Sequence, residues 1–233
     1  MVLCAAAIRG PMEVIAASYE KEFGVPIDLL FGGSGTLLSK LQISGADIYL
    51  AADSSYTDLA TRDGLVSDTF DVAYLTAGAG VRRGNPYDVV GVEDLVRRDL
   101  RVGLANPEAA SIGQFTEQIL RGQDVWEDVT PELTVPTVTE LANSLELGTI
   151  DVAVIWRVLA QQYEEIDFVA IPAFAVEKKR ISAGILTASS RPEAAMAFCR
   201  YLVSYEGGLA IFEEGGYEVI ESRGRIGEET VIE

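Results

Sequence analysis

Within its first 65 residues the chain runs three times from a short apolar segment, through a turn of small residues, into a helix start. The segments are Val2 to Ala7, Pro26 to Phe31 and Asp47 to Ala51. Short apolar runs closed by Gly or by Asp-Ser read as strands buried on both faces. Alternation of strand and helix predicts an α/β fold, its parallel sheet joined by right-handed crossovers. Ligands in such sheets bind at the carboxyl ends of the strands. The junctions Ile8-Arg9-Gly10, Gly33-Ser34-Gly35 and Ala52-Asp53-Ser54 are therefore expected at one edge.

The middle junction, Phe31-Gly32-Gly33-Ser34-Gly35-Thr36-Leu37-Leu38, carries the clearest chemistry. A strand that ends in Gly-Gly-Ser-Gly and enters a helix offers free N–H groups and a hydroxyl at the positive end of a helix dipole, which suits an anion. The plainer reading of the same residues is a tight turn that needs glycine. The Lys-Ser/Thr of a phosphate-binding P-loop and the dinucleotide spacing are both missing. Leu37, Leu38, Leu41 and Ile43 predict a helical stripe after the turn.

Charge and composition narrow the function. With 36 acidic and 18 basic residues the net charge is −18, which disfavours nucleic acid and anionic membrane as partners. The sequence has no histidine, so a Ser-His dyad, a histidine general base and histidine metal ligands are excluded. Cys4 and Cys199 are too few for a zinc cluster or a disulfide framework and sit in apolar stretches, as buried thiols do. No apolar run reaches the roughly 18 residues of a membrane span. Met1 to Ala7 reads as a strand, which leaves a cytosolic protein or one whose leader is missing from this sequence.

The strand–helix logic continues downstream. Gly10-Pro11 opens a helix with Met12, Val14, Ile15, Tyr19 and Phe23 on its inner face, stopped by Gly24. Phe70 to Ala77 alternates as a longer strand, and the glycines after it mark a change of territory. Arg101 to Ala105 is a strand leading through Asn106 to Gly113 into an amphipathic helix. Thr137 with Glu140 has capping-box spacing ahead of a helix closed by Gly148. Asp151 to Trp156 is a buried strand running into Arg157, Ile181 to Thr187 is extended, and Pro192 opens a long helix. Gly215-Gly216-Tyr217 is read as the end of the compact fold, and the polar tail from Glu221 to Glu233 as a surface strand or a frayed end.

Taken in order and spacing, several stretches resemble the periplasmic molybdate- and tungstate-binding proteins of ABC importers. They are Ala5-Ala6-Ala7, Phe31 to Leu37, Gly45 to Asp53, Ala105-Asn106-Pro107-Glu108, Gly148 to Val154, and Arg191 to Phe198 with Ser204 to Gly208. The resemblance implies a two-lobed type II solute-binding fold, each lobe a mainly parallel sheet flanked by helices. Lobe I would hold residues 1–73 and 184–233 and lobe II residues 74–183, with hinge strands near 71–79 and 180–186. It implies no enzymatic activity, no cofactor and no metal ligands. A monomer would capture one tetrahedral oxyanion outside the cytoplasm and deliver it to an ABC permease.

Carried over residue by residue, the resemblance assigns the ligand to Ser34, Ala52, the N–H of Ile112, and the N–H of Val138 behind the cap Thr137. Trp156 stands where a tyrosine would offer its hydroxyl, and Ile8 where a serine would. Arg9 and Arg157, just after strand ends, would either replace the lost hydroxyls with charged donors or lie on the surface. Asp53 is expected chiefly as a helix cap that positions a lobe. Other small anions on the same fold (phosphate, a phosphonate, sulfate, an organic acid) form the alternative. Tyr49, Tyr56, Tyr74 and Tyr217 do not form the paired motif of ferric-ion receptors. An α/β enzyme would need a nucleophile elbow that the chain lacks.

Overall fold

A computed structural model of the chain describes residues 1–220; the tail from Glu221 to Glu233 lies outside the described residues. Among the described residues eleven strands form two mixed sheets. In chain order they are β1 (Val2–Ala5), β2 (Leu29–Gly32), β3 (Ile48–Ala51), β4 (Val66–Leu75), β5 (Ala77–Arg82), β6 (Val102–Ala105), β7 (Leu133–Val135), β8 (Val152–Trp156), β9 (Ile166–Val169), β10 (Lys179–Leu186) and β11 (Glu218–Val219). The helices are α1 (Arg9–Phe23), α2 (Ser34–Leu38), α3 (Ser54–Arg62), α4 (Ser111–Gly122), α5 (Val138–Glu146), α6 (Arg157–Ala160), α7 (Pro192–Leu202) and α8 (Ala210–Glu214).

The first sheet has the order β11-β4-β10-β3-β1-β2 and the second β7-β6-β8-β5-β9. Pairs β1/β2, β1/β3, β6/β7 and β6/β8 are parallel, as the alternation predicts. Antiparallel pairs arise where the chain passes between sheets. β4 runs through Thr76 into β5, and β10 returns beside β4 with Lys179 opposite Leu75. All of β10 pairs within the first sheet.

Apolar central strands drive the assembly. Every residue of β1, β3 and β8 is buried, and each large side chain so removed from water contributes about 1.5–3 kcal/mol. Against α1 the core takes Met12, Ile15 and Tyr19, whereas Val14 (53% exposed) and Phe23 (51%) face outward, against expectation. Pro11 is the third residue of α1, still in the first turn, where its missing N–H breaks no helical bond. Gly24 ends α1 at φ 70°, a left-handed conformation that glycine adopts without a Cβ penalty.

Three further expectations change. β2 is not buried on both faces: it is the terminal strand of its sheet, and Leu30 is 43% exposed. The helix predicted through Ile43 stops at Leu38, where Ser39 turns its hydroxyl onto the Thr36 carbonyl at 2.8 Å and the chain breaks into turns. Ile43 is left 85% exposed. The fold also continues past Tyr217, because β11 adds to the edge of β4.

Candidate functional site

Strand register brings the site together. Ala5 pairs with Gly32 and Cys4 with Leu50, so β1, β2 and β3 end level and the chain leaves them at Ala6, Gly33 and Ala52. In the second sheet Ala105 pairs with Val135 and Gly103 with Ala153, so β6, β7 and β8 also end close together. The two sets of strand ends face a cavity of ≈ 220 Å³. From the first sheet's side it is lined by Ala5, Ala6, Ala7, Gly32, Gly33, Ser34 and Ala52; from the second's, by Ala110, Ser111, Ile112, Thr137, Val138 and Trp156. None of these side chains is ionisable.

What lines the cavity is rich in donors. Ser34 is 1% exposed, and its Oγ accepts the Ala52 N–H at 3.2 Å, leaving its own O–H proton for another acceptor. At the starts of α4 and α5 the N–H groups of Ser111, Ile112 and Val138 find no acceptor among the described residues, the ordinary condition of a helix's first turn. Thr137 is occupied as a cap: its hydroxyl accepts the Glu140 N–H at 3.3 Å and donates to the Glu140 carboxylate at 2.8 Å. The cap leaves Val138 as the donor. Trp156 is fully buried, and its Nε1–H is a buried side-chain donor without a partner among the described residues. An unsatisfied buried donor costs about 1–3 kcal/mol, and an acceptor entering the cavity would relieve it.

Two tyrosines brace the lining from behind. The Tyr49 hydroxyl donates to the Ser34 carbonyl at 2.7 Å and the Tyr217 hydroxyl to the Ala7 carbonyl at 2.9 Å. Burial pushes both phenols above their ordinary pKa, and Tyr56 is likewise pushed up to about 12. Tyr49 and Tyr217 stay neutral and bond the main chain. No group of three or more Cys, Asp or Glu among the described residues could hold a metal.

Six of the ten residues singled out from the sequence thus surround one cavity: Ser34, Ala52, Ile112, Thr137, Val138 and Trp156. The other four do not line it. The chain turns into a 3-10 helix directly after Ala5, so Ala6 and Ala7 take the cavity wall and Ile8 rotates into the core. Arg9 is 3.9 Å from the centroid of the Phe31 ring and bonds Glu13 at 3.2 Å on the surface. Arg157 donates its N–H to Thr76, and its guanidinium is 5.3 Å from the Phe168 ring centroid. Asp53 caps α3 through the Ser55 N–H at 2.9 Å and pairs with Lys179 at 3.4 Å, in a groove outside the cavity.

A further correction concerns the Gly-rich turn. The N–H groups of Gly35 and Thr36, expected to be free for an anion, both donate to the Ala109 carbonyl, at 2.9 and 3.2 Å. Of that turn's side chains, the Ser34 hydroxyl offers the cavity an uncommitted donor. Sequence reasoning also missed Ser111 and the backbone of Ala6 and Ala7. A signal for Ser111 exists, since it is a hydroxyl residue at the start of a helix that follows a strand; alanines give none.

The chain matches the sequence model of a family described as bacterial extracellular solute-binding protein over residues 1–218. A binding protein of Haemophilus influenzae is 23% identical over 214 residues, covering 90% of this chain and 87% of its own length. Among solved structures, the periplasmic molybdate-binding protein of Azotobacter vinelandii superposes with a TM-score of 0.80 at 17% identity, covering 93% of this chain and 97% of that one. The sulfate-binding protein SubI of Mycobacterium tuberculosis superposes at 0.83 with 14% identity, covering 95% and 86%. Both structural matches establish a shared type II periplasmic binding-protein fold. No described helix is long and apolar enough to cross a membrane. The family captures solutes and performs no catalysis, and with a match running nearly the length of the described residues, this chain belongs to the bacterial extracellular solute-binding proteins.

Proposed function

We propose that the cavity captures a small tetrahedral oxyanion, molybdate or tungstate, outside the cytoplasm, and that the protein delivers it to the permease of an ABC importer. The observation that carries this reading is the partnerless Trp156 Nε1–H beside the free N–H groups of Ser111, Ile112 and Val138 and the Ser34 hydroxyl. These donors converge without a counter-charge. A dianion is stabilised there by dipoles in a site largely shut from water. The enclosed part of the space has room for about one water-sized sphere, which favours an inorganic ion over a sugar phosphate.

Protonation supports the choice among ions. Phosphate carries a proton near neutral pH that needs an acceptor, and no lining side chain is a carboxylate or an imidazole. Sulfate shares the full deprotonation of molybdate and is smaller, so it is the second reading. In place of the expected bounds of 1–73 with 184–233 and 74–183, the pairing of Lys179 with Leu75 supports proposed lobes of residues 1–75 with 179–220, and 77–175, closing about the connections at Thr76 and ahead of Lys179.

Titration calorimetry with molybdate, tungstate, sulfate and phosphate tests the reading. Molybdate and tungstate should bind more tightly than sulfate by tenfold or more, about 1.4 kcal/mol, with phosphate silent at pH 7. Preference for sulfate selects the second reading. Silence with all four ions overturns both.

A further inference from the structure

The glycine-rich turn of the first half is in direct backbone contact with the second half. The N–H groups of Gly35 and Thr36 converge on the single carbonyl oxygen of Ala109, at 2.9 and 3.2 Å. Gly33 and Gly35 also leave no room for a side chain. A Cβ on Gly33 would overlap the Ala109 carbonyl oxygen and lie 2.7 Å from that of Pro136, and one on Gly35 would overlap the Glu108 carbonyl oxygen. Neither glycine has a positive φ, so the turn itself does not demand them. Their missing side chains serve the contact. Alongside, the Thr139 hydroxyl donates to the Ala6 carbonyl at 3.4 Å.

We propose that Gly33-Ser34-Gly35-Thr36 is a closure latch, in which the Ala109 carbonyl docks onto the start of α2 and sets ligand affinity by holding the cavity shut. The latch acts through Ser34, which sits between the two glycines and contributes its hydroxyl to the cavity wall. Docking of Ala109 fixes the donor and excludes water in one movement. An open protein exposes two amide donors and one carbonyl to water, so the latch is nearly neutral in free energy until a ligand bridges the halves. Affinity is then governed by reopening, which the latch slows.

This rests on the reading of the cavity as the ligand site, and the test separates the two. Gly35→Ala adds one methyl group where the Glu108 carbonyl must sit and removes no ligand donor. Gly10→Ala, on the surface of α1 with nothing near its Cβ position, is the control. Spin labels on Lys40→Cys and Gln123→Cys, both exposed, report the separation of the halves; Cys4 and Cys199 are buried. With saturating molybdate, the parent and Gly10→Ala should give the short distance. Gly35→Ala should stay long, bind about tenfold or more weaker through a faster off-rate, and unfold at an unchanged or higher temperature without ligand. Gly35→Ala closing and binding like the parent overturns the latch. If no oxyanion binds the parent, the cavity reading fails instead, and the latch is judged on the ligand-free distances. A short-distance population lost in Gly35→Ala upholds it, and its absence from the parent overturns it.

Discussion

The indole of Trp156 lies nearly parallel to the ring of Phe115, 15° between planes and 6.4 Å between centroids, with both side chains buried. The Lys179 ammonium lies 4.6 Å from the centroid of the same Phe115 ring. Trp156 ends β8, Phe115 belongs to α4 and Lys179 begins β10, so three elements fix the plane of one indole. A donor held this way needs no reorganisation when a ligand oxygen arrives. Trp156→Phe keeps an aromatic ring against Phe115 and deletes the N–H. Molybdate binding should weaken by about 1–3 kcal/mol, the range for a lost buried partner, read by calorimetry. Unchanged affinity would remove the indole from the site.

Arg9 and Arg157 follow strand ends in sequence, yet they meet Phe31 and Phe168 rather than the cavity. Arg9→Ala and Arg157→Ala should each leave oxyanion affinity within about twofold, as surface charges do. A loss beyond tenfold in either would place a guanidinium on the ligand.

Asp151 is almost buried and takes three bonds from Arg101: the N–H at 3.0 Å, Nε at 3.0 Å and a terminal nitrogen at 2.6 Å. They tie the start of β6 to the start of β8, at the end away from the cavity. Hydrogen bonds from Arg101 hold the carboxyl below its ordinary range, outweighing the opposing effect of burial. A depressed folded pKa means the contribution is complete above the unfolded value near pH 4 and fades as pH falls through the folded one. Asp151→Asn should cost about 1–3 kcal/mol at pH 7 and flatten the acid side of the stability profile. Urea titrations between pH 3 and 7 measure both effects.

Burial pushes the Cys199 thiol up to about 12 and the Cys4 thiol higher. Neither should react with a thiol reagent in the native protein. Modification should follow global unfolding, its rate rising with denaturant as unfolding does. Fast labelling in buffer alone would show that β1 or α7 opens locally.

Gly45 to Asp53 and Gly148 to Trp156 show how much the sequence determined on its own. These two short apolar runs between turn residues are central strands, as their composition predicts, although the similar run before Gly32 lies at a sheet edge. Strand–helix alternation then predicts parallel neighbours and puts the junctions at one edge, whereas Ser34, Ala52, Ile112, Val138 and Trp156 were singled out as a set through the resemblance to the molybdate-binding family. Thr137 was readable too, because a cap is a local event over four residues. Ile8, Arg9, Arg157 and the N–H groups of Gly35 and Thr36 were not. Where a turn tightens by two residues, which ring an arginine meets, and whether a free amide finds a carbonyl from a segment some 74 positions away depend on packing between elements that sequence order does not place. The sequence dictated the strands and their junctions, while packing decided that Arg9, Asp53 and Arg157 stay out of the cavity and leave its lining without charge. Tertiary contact alone decided which donors remain for a ligand, because one carbonyl of the opposite half occupies two of them.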